Sequence, residues 1–276
     1  MQDMVVDLKR KSNEIRQLTL ECIHSIGVGH VGGCLSIAEV LSCLYFGGLM
    51  HIDPQNPKME GRDRLVVSKG HAGPAVYAAL CSKGYFPKEQ LLTLNQFGTN
   101  LPSHCDMNRT PGIDMTTGSL GQGFSCAVGI ALGSKIKGDG ATIYSIIGDG
   151  ESQEGQIWEA AMFASQKKLT NLIAFTDYNK LQIDGTVDAI NSLEDIQARW
   201  TAFGFQTYRI DGHDCEAILH TVKQAKQLAL RPTMIILDTI KGKGVTFAEN
   251  AGVGNHNMPL PDDVFQQAMA ELRQEV

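Results

Sequence analysis

The sequence predicts an α/β fold, a mostly parallel sheet covered by helices on both faces. Short apolar runs rich in β-branched or aromatic residues recur at 65–67, 142–147, 172–176, 205–210 and 234–237, and helical patterns separate the later ones. These runs are nearly continuously apolar, as in strands buried on both sides. A chain of 276 residues with 43% hydrophobic content can bury one substantial core, so residues 1–276 read as a single domain.

In chain order, Ile15, Leu18, Cys22 and Ile26 recur at helical spacing, and that helix stops at the glycine-rich 27–33. A second helix is expected from Ser36, with Glu39 completing a capping box and Leu35 stapled onto Val40. The strand Leu65-Val66-Val67 ends at Ser68-Lys69-Gly70-His71, and helices follow near 73–83 and 88–96. Further helices are expected near 155–167, 193–203 and 215–229, with Ser192 as an N-cap, Gly204 as a C′ residue and a last helical run from Phe265 to Leu272. The least regular stretches, 97–117 and 241–261, are long for loops inside a compact domain, which marks them as functional.

Composition narrows the function. A net charge of −6 without a basic stripe argues against a nucleic-acid surface. No apolar run approaches the roughly 20 residues of a membrane span, and the first residues lack a signal peptide's apolar core. The seven cysteines are odd in number, scattered and without CxxC spacing, which argues against a disulfide framework or a zinc site. Reduced thiols in a cytoplasmic protein are the expectation.

Chemistry concentrates at the strand ends, where open parallel sheets bind ligands. Gly148-Asp149-Gly150 closes one apolar run, and Asn179 follows 31 residues after Gly148 at the end of another. A carboxylate and an amide oxygen are hard ligands of the kind magnesium or calcium prefers, with phosphate oxygens completing the shell. The two glycines let backbone approach a phosphate, and the helix near Gly155 points its positive end there. The plainer alternative is a strand-to-helix turn capped by Asp149. Gly27-x-Gly29-x-x-Gly32 matches a dinucleotide fingerprint in form only, because it follows a predicted helix instead of a strand.

Gly148-Asp149-Gly150 with Asn179 resembles the thiamine diphosphate motif, and other stretches agree with it in order: Gly29-His30, Lys69-Gly70-His71, 118–123, 148–155, 181–185, 210–214 and 241–244. Together they resemble the N-terminal, diphosphate-binding half of transketolase, from about His30 to Pro259. The resemblance implies the thiamine diphosphate-binding fold and a transketolase-type transferase moving a two-carbon ketol unit between ketose and aldose phosphates, or a sulfonated analogue. It implies Asp149, the Asn179 side chain and the Leu181 carbonyl as holders of a metal, Mg2+ with Ca2+ or Mn2+ possible. Gly118, Ser119, Leu120 and Gly150 are then expected to line the cofactor, with His71 by its diphosphate. His30, His104 and His256 match substrate-channel histidines, and His256 also reaches the cofactor. Neutral imidazoles suit proton transfer near pH 7. His24, His51, His220 and His213 read as surface or structural groups. Glu154 matches an acidic position that links paired active sites, with a local helix-start role as the alternative.

Two departures stand out: Val31 where the family usually has proline, and Cys34 where it often has serine. The family's pyrimidine-binding domain, which carries a catalytic glutamate, has no room before Val276. The expectation is therefore a split enzyme, an α2β2 heterotetramer with a C-terminal transketolase subunit, inactive without it. Competing readings are a subunit of a 2-oxo acid dehydrogenase or deoxyxylulose phosphate synthase, and a non-catalytic cofactor-binding subunit.

Overall fold

A computed structural model of the chain describes residues 2–274. In chain order the regular elements are α1 (Gln2–His24), β1 (Val28–Gly29), α2 (Val31–Leu35), α3 (Ala38–Phe46), β2 (Arg64–Val67), α4 (Gly73–Lys83), α5 (Gln122–Lys137), β3 (Ile143–Gly148) and α6 (Gly155–Gln166). They continue with β4 (Leu172–Tyr178), α7 (Val187–Asn191), α8 (Ile196–Ala202), β5 (Gln206–Asp211), α9 (Cys215–Leu228), β6 (Thr233–Asp238), α10 (Thr246–Asn250), β7 (Met258–Pro259) and α11 (Asp262–Gln274). Five strands form one parallel sheet in the order β2-β3-β4-β6-β5. A separate antiparallel pair joins β1 to β7, so the long 241–261 stretch is tied back beside the end of α1.

Strand geometry sends successive side chains to opposite faces. Tyr144, Ile146, Ile173, Phe175, Ile235 and Leu237 enter a core shared with α1, α3, α4, α9 and α11. Ile143, Ile147, Leu172, Ala174, Met234 and Ile236 enter a second core with α5, α6 and α8, built around the buried Trp200. The apolar, non-alternating strands thus follow from a sheet covered on both sides, as the sequence predicts.

Several local expectations are corrected. The helix expected from Ser36 starts at Ala38, and no capping box forms: Ser36 ends α2, its hydroxyl donates to Asp177 at 2.8 Å, and Glu39 pairs with Arg16 at 2.7 Å. Two buried charges far away in sequence outcompete the local cap. Residues Lys88–Thr93 form a 3-10 turn where the pattern predicts a longer helix. Asp195, not Ser192, caps α8, its side chain accepting from Ala198 N, whereas Gly204 follows that helix with φ of 88° as a C′ glycine should. The periodicity missed α5, whose run Gln122–Lys137 is rich in small residues and shows no single apolar stripe. Gly123 is required there, because a Cβ would lie 2.7 Å from Ser68 Cα.

Candidate active site

The ends of β2, β3 and β4 open into a cavity of about 330 Å3. Each strand stops on a residue that the following turn can present. β3 ends at Gly148, placing Asp149 at the rim; β4 ends at Tyr178, placing Asn179 beside it; and β2 leads through Ser68 and Lys69 to His71, on the 3-10 turn Gly70–Ala72. His30 enters from the start of α2, His104 from the irregular 97–117 segment, and His256 from just after the 3-10 turn Gly252–Asn255.

These four imidazoles, spread over more than 200 residues, meet in one cluster. Ring centroids lie 5.5 Å apart for His30 and His71, 5.8 Å for His30 and His104, 5.3 Å for His30 and His256, and 5.0 Å for His71 and His256. Burial lowers the pKa of His30, with His104, Lys241 and Lys69 adding to it. It lowers that of His71 further, helped by Lys69. His256 falls to about 3 through burial and the adjacent Lys241. Those three rings are therefore neutral near pH 7 and able to donate or accept.

Asp149 is 2% exposed. One of its oxygens accepts from Gly150 N at 2.8 Å and the other from Lys180 N. Asn179 uses its amide oxygen to accept from Leu181 N at 3.1 Å and its NH2 to donate to Asp177 at 2.9 Å. The Leu181 carbonyl accepts from the Lys241 ammonium at 3.2 Å, and that ammonium is also 3.2 Å from His256 Nδ1. Gly118, Leu120, Gly150, Asn179 and Leu181 all line the cavity, while Ser119 shares the turn without lining it. Glu154 lines the rim, stands at the N-cap of α6 and caps nothing with its side chain, so the local helix-start alternative fails.

Lys69 and Lys241 carry no signal of their own in local spacing, although both lie inside the motifs 69–71 and 241–244. Lys69 is 1% exposed, contacts Asp177 at 2.5 Å and donates to Gly33 O at 2.8 Å. Lys241 is drawn down to about 8 by burial and then Lys69, against Asp149 and Asp177. Gln182, another residue not foreseen, lines the cavity with a buried side-chain nitrogen that has no partner.

The departures at 31 and 34 leave His30 within the histidine cluster. Val31 is the first residue of α2, a position where proline is tolerated because its missing N–H would be unpaired anyway, so valine preserves the turn. Cys34 is buried, with its thiol 3.7 Å from His71 O. His213 is structural as expected: Nδ1 contacts Glu39 at 3.0 Å, and Nε2 accepts from Ile240 N at 2.9 Å.

Asp149 carries a pH signature. Burial first and Asp177 second push its pKa up to about 7, against the Gly150 and Lys180 amides. An unfolded aspartate titrates near ~3.9, so between about pH 4 and 7 the folded chain keeps a proton that the unfolded chain has lost. That stabilisation is complete below the unfolded pKa and is lost as pH rises through the folded one. In cofactor-free protein, the melting temperature of Asp149→Asn minus that of wild type is expected to grow from pH 5 to 8. A pH-independent difference in thermal melts would contradict this.

A parallel sheet that offers an acidic residue, an amide and a histidine cluster at its strand ends is an α/β arrangement suited to a phosphate-bearing ligand. Residues 8–275 match the family described as "Transketolase, thiamine diphosphate binding domain". The chain belongs to the transketolase family, as an N-terminal subunit of a split transketolase. It is 59% identical over 275 residues to the 6-deoxy-6-sulfo-D-fructose transketolase subunit SqwG of Clostridium sp. (strain MSTE9), covering 100% of this chain and 99% of that one. Identity is 38% over 272 residues to an apulose-4-phosphate transketolase subunit of Phocaeicola vulgatus, covering 99% and 96%. Among solved structures, the transketolase of Pichia stipitis superposes with a TM-score of 0.90 at 31% identity, covering 96% of this chain and 40% of that one. The chain thus spans two-fifths of that transketolase but nearly all of the named subunits. None of these relatives is named as a 2-oxo acid dehydrogenase or deoxyxylulose phosphate synthase, and the family assignment displaces that reading.

Proposed function

We propose that this subunit grips the diphosphate of thiamine diphosphate, together with a divalent metal, and transfers a two-carbon ketol unit from a ketose with an anionic distal end to an aldose phosphate. The favoured donor is 6-deoxy-6-sulfo-D-fructose, supported by the end-to-end likeness to the subunit named for it. The observation that carries the proposal is the convergence of His30, His71, His104 and His256 over Asp149 and Asn179 in one cavity.

The residues present fit the implied metal. Asp149, Asn179 and the Leu181 carbonyl are hard oxygen donors, Mg2+ being the ordinary choice and Ca2+ or Mn2+ compatible. The contact of the Leu181 carbonyl with the Lys241 ammonium places a cation against one of the three. Gly118, Leu120 and Gly150 offer backbone to the cofactor, while Ser119 supports the turn. When bound, thiamine diphosphate supplies the carbon that adds to a ketose carbonyl and accepts the charge as the carbon–carbon bond breaks.

This chain's own groups orient and move protons. His71, the deepest ring, belongs beside the diphosphate, with Lys69 and Lys241 offsetting negative charge. His30 and His256 face the substrate as neutral donors and acceptors for its hydroxyl and carbonyl oxygens, with the more exposed His104 beside them. Glu154, free at the rim, suits a link to a second active site. The partner is a C-terminal transketolase subunit with the pyrimidine-binding domain, in an α2β2 heterotetramer in the cytoplasm. No helix among the described residues is long and apolar enough to cross a membrane.

The test pairs the purified chain with its C-terminal transketolase partner and assays phosphorylated and sulfonated ketoses. Ketol transfer from 6-deoxy-6-sulfo-D-fructose is expected only from the pair. Turnover by this chain alone would sink the split-enzyme reading; preference for apulose 4-phosphate would move the donor to the other named class.

A further inference from the structure

We infer that Glu151 is a positioning residue, a buried clasp that locks together the three backbone turns forming the diphosphate end of the cavity. The inference rests on the transketolase reading above and deepens it. Glu151 is 2% exposed and opens the short turn after Gly150. Oε1 accepts from the Ser68 hydroxyl and from Gly121 N at 2.8 Å, and Oε2 accepts from Gly148 N at 3.0 Å. The Ser68 hydroxyl in turn accepts from Phe124 N at 2.9 Å. One carboxylate thus joins the end of β2, the start of α5 and the end of β3, the first two being segments 83 and 30 residues away from it in sequence.

Each bonded residue adjoins groups that line the cavity. Ser68 precedes Lys69 and His71, Gly121 follows Gly118 and Leu120, and Gly148 precedes Asp149. Among the described residues, no other hydrogen bond joins the 118–121 turn to either strand end. Gly121 has φ of 84°, a left-handed conformation that glycine takes up without strain. Gly121 is the N-cap of α5, so the carboxylate on its amide stands at the positive end of that helix. Both oxygens are engaged, so Glu151 shapes the site without a free group for the reaction. Its loss is therefore expected to loosen cofactor binding while sparing the chemical step.

Glu151→Gln in the reconstituted complex is the main test. The amide keeps an oxygen for Ser68 and Gly121 but turns an N–H toward Gly148 N–H. The KM for thiamine diphosphate is expected to rise about 10-fold, with kcat at saturation within about 3-fold, the scale on which groups that orient binding residues act. Glu151→Ala is expected to raise it about 100-fold. A KM for Glu151→Gln within about twofold of wild type, or a fall in kcat at unchanged KM, would overturn the inference. Hydrogen exchange on the cofactor-free full chain provides a readout independent of activity. Glu151→Gln should speed exchange at Gly121 and Gly148, and unchanged protection there would refute the clasp. Should wild-type complex fail to bind thiamine diphosphate, the proposed function falls, while the exchange result still decides for or against the clasp.

Discussion

Asp149→Ala is expected to lower ketol transfer by the reconstituted complex by about 100- to 1000-fold, the order seen when a preorganised charge-stabilising group is removed. Asp149 is the only carboxylate among the three oxygen donors proposed for the metal, with the Asn179 amide and the Leu181 carbonyl supplying neutral oxygens. Its two oxygens are already aimed by Gly150 N and Lys180 N, so the geometry is set before any cation arrives. Without it, a divalent metal would lose its one carboxylate ligand in a cavity that also holds two lysines. The measurement is activity against metal and thiamine diphosphate concentration. Activity within about threefold of wild type would remove Asp149 from the site and restore a non-catalytic role for the subunit.

Asp177→Asn is expected to destabilise the cofactor-free chain by about 3–5 kcal/mol, the usual cost of removing one partner from a buried ion pair. Asp177 is fully buried and contacts Lys69 at 2.5 Å, Ser36 at 2.8 Å, Thr239 at 2.5 Å and Asn179 at 2.9 Å. Burial alone would raise its pKa, but Lys69 and the Thr239 and Ser36 hydroxyls hold it below the ordinary value. The asparagine variant keeps the shape and leaves the Lys69 charge uncompensated. Urea unfolding measures the loss, and adding Lys69→Met should recover much of it by removing that charge. A single-variant loss below about 1 kcal/mol would show that the pair is not the buried unit described. Because Asp177 also orients Asn179, cofactor affinity is expected to fall with stability.

Much of the site was legible because its parts sit where short-range rules place them. Asp149 and Asn179 each follow a run of apolar, β-rich residues, and strand ends are where parallel sheets bind ligands. The histidines were legible only through their motif neighbours, since nothing in the spacing of His30, His71, His104 and His256 says that they meet. Glu39 shows the opposite failure. A capping box was well formed locally, yet Arg16 and His213 claimed its carboxylate and Asp177 claimed the Ser36 hydroxyl. A buried charge gains more from a charged partner than from a helix amide, so the distant contact prevailed. The helix α5 shows no amphipathic pattern for another reason: its run is rich in small residues, of which Gly123 is required by the close approach of Ser68.

The sequence by itself determined the alternation of strands and helices, the two covered faces of the sheet, and the acidic and amide groups at two strand ends. Those follow from periodicity and from local turn chemistry, which act over a few residues. Only the tertiary structure decided which strand ends are neighbours, and with that the histidine cluster, the buried Lys69–Asp177 pair and the Glu151 clasp. These depend on buried charges and hydrogen-bond donors finding partners across the folded sheet, and that pairing leaves no trace in local spacing.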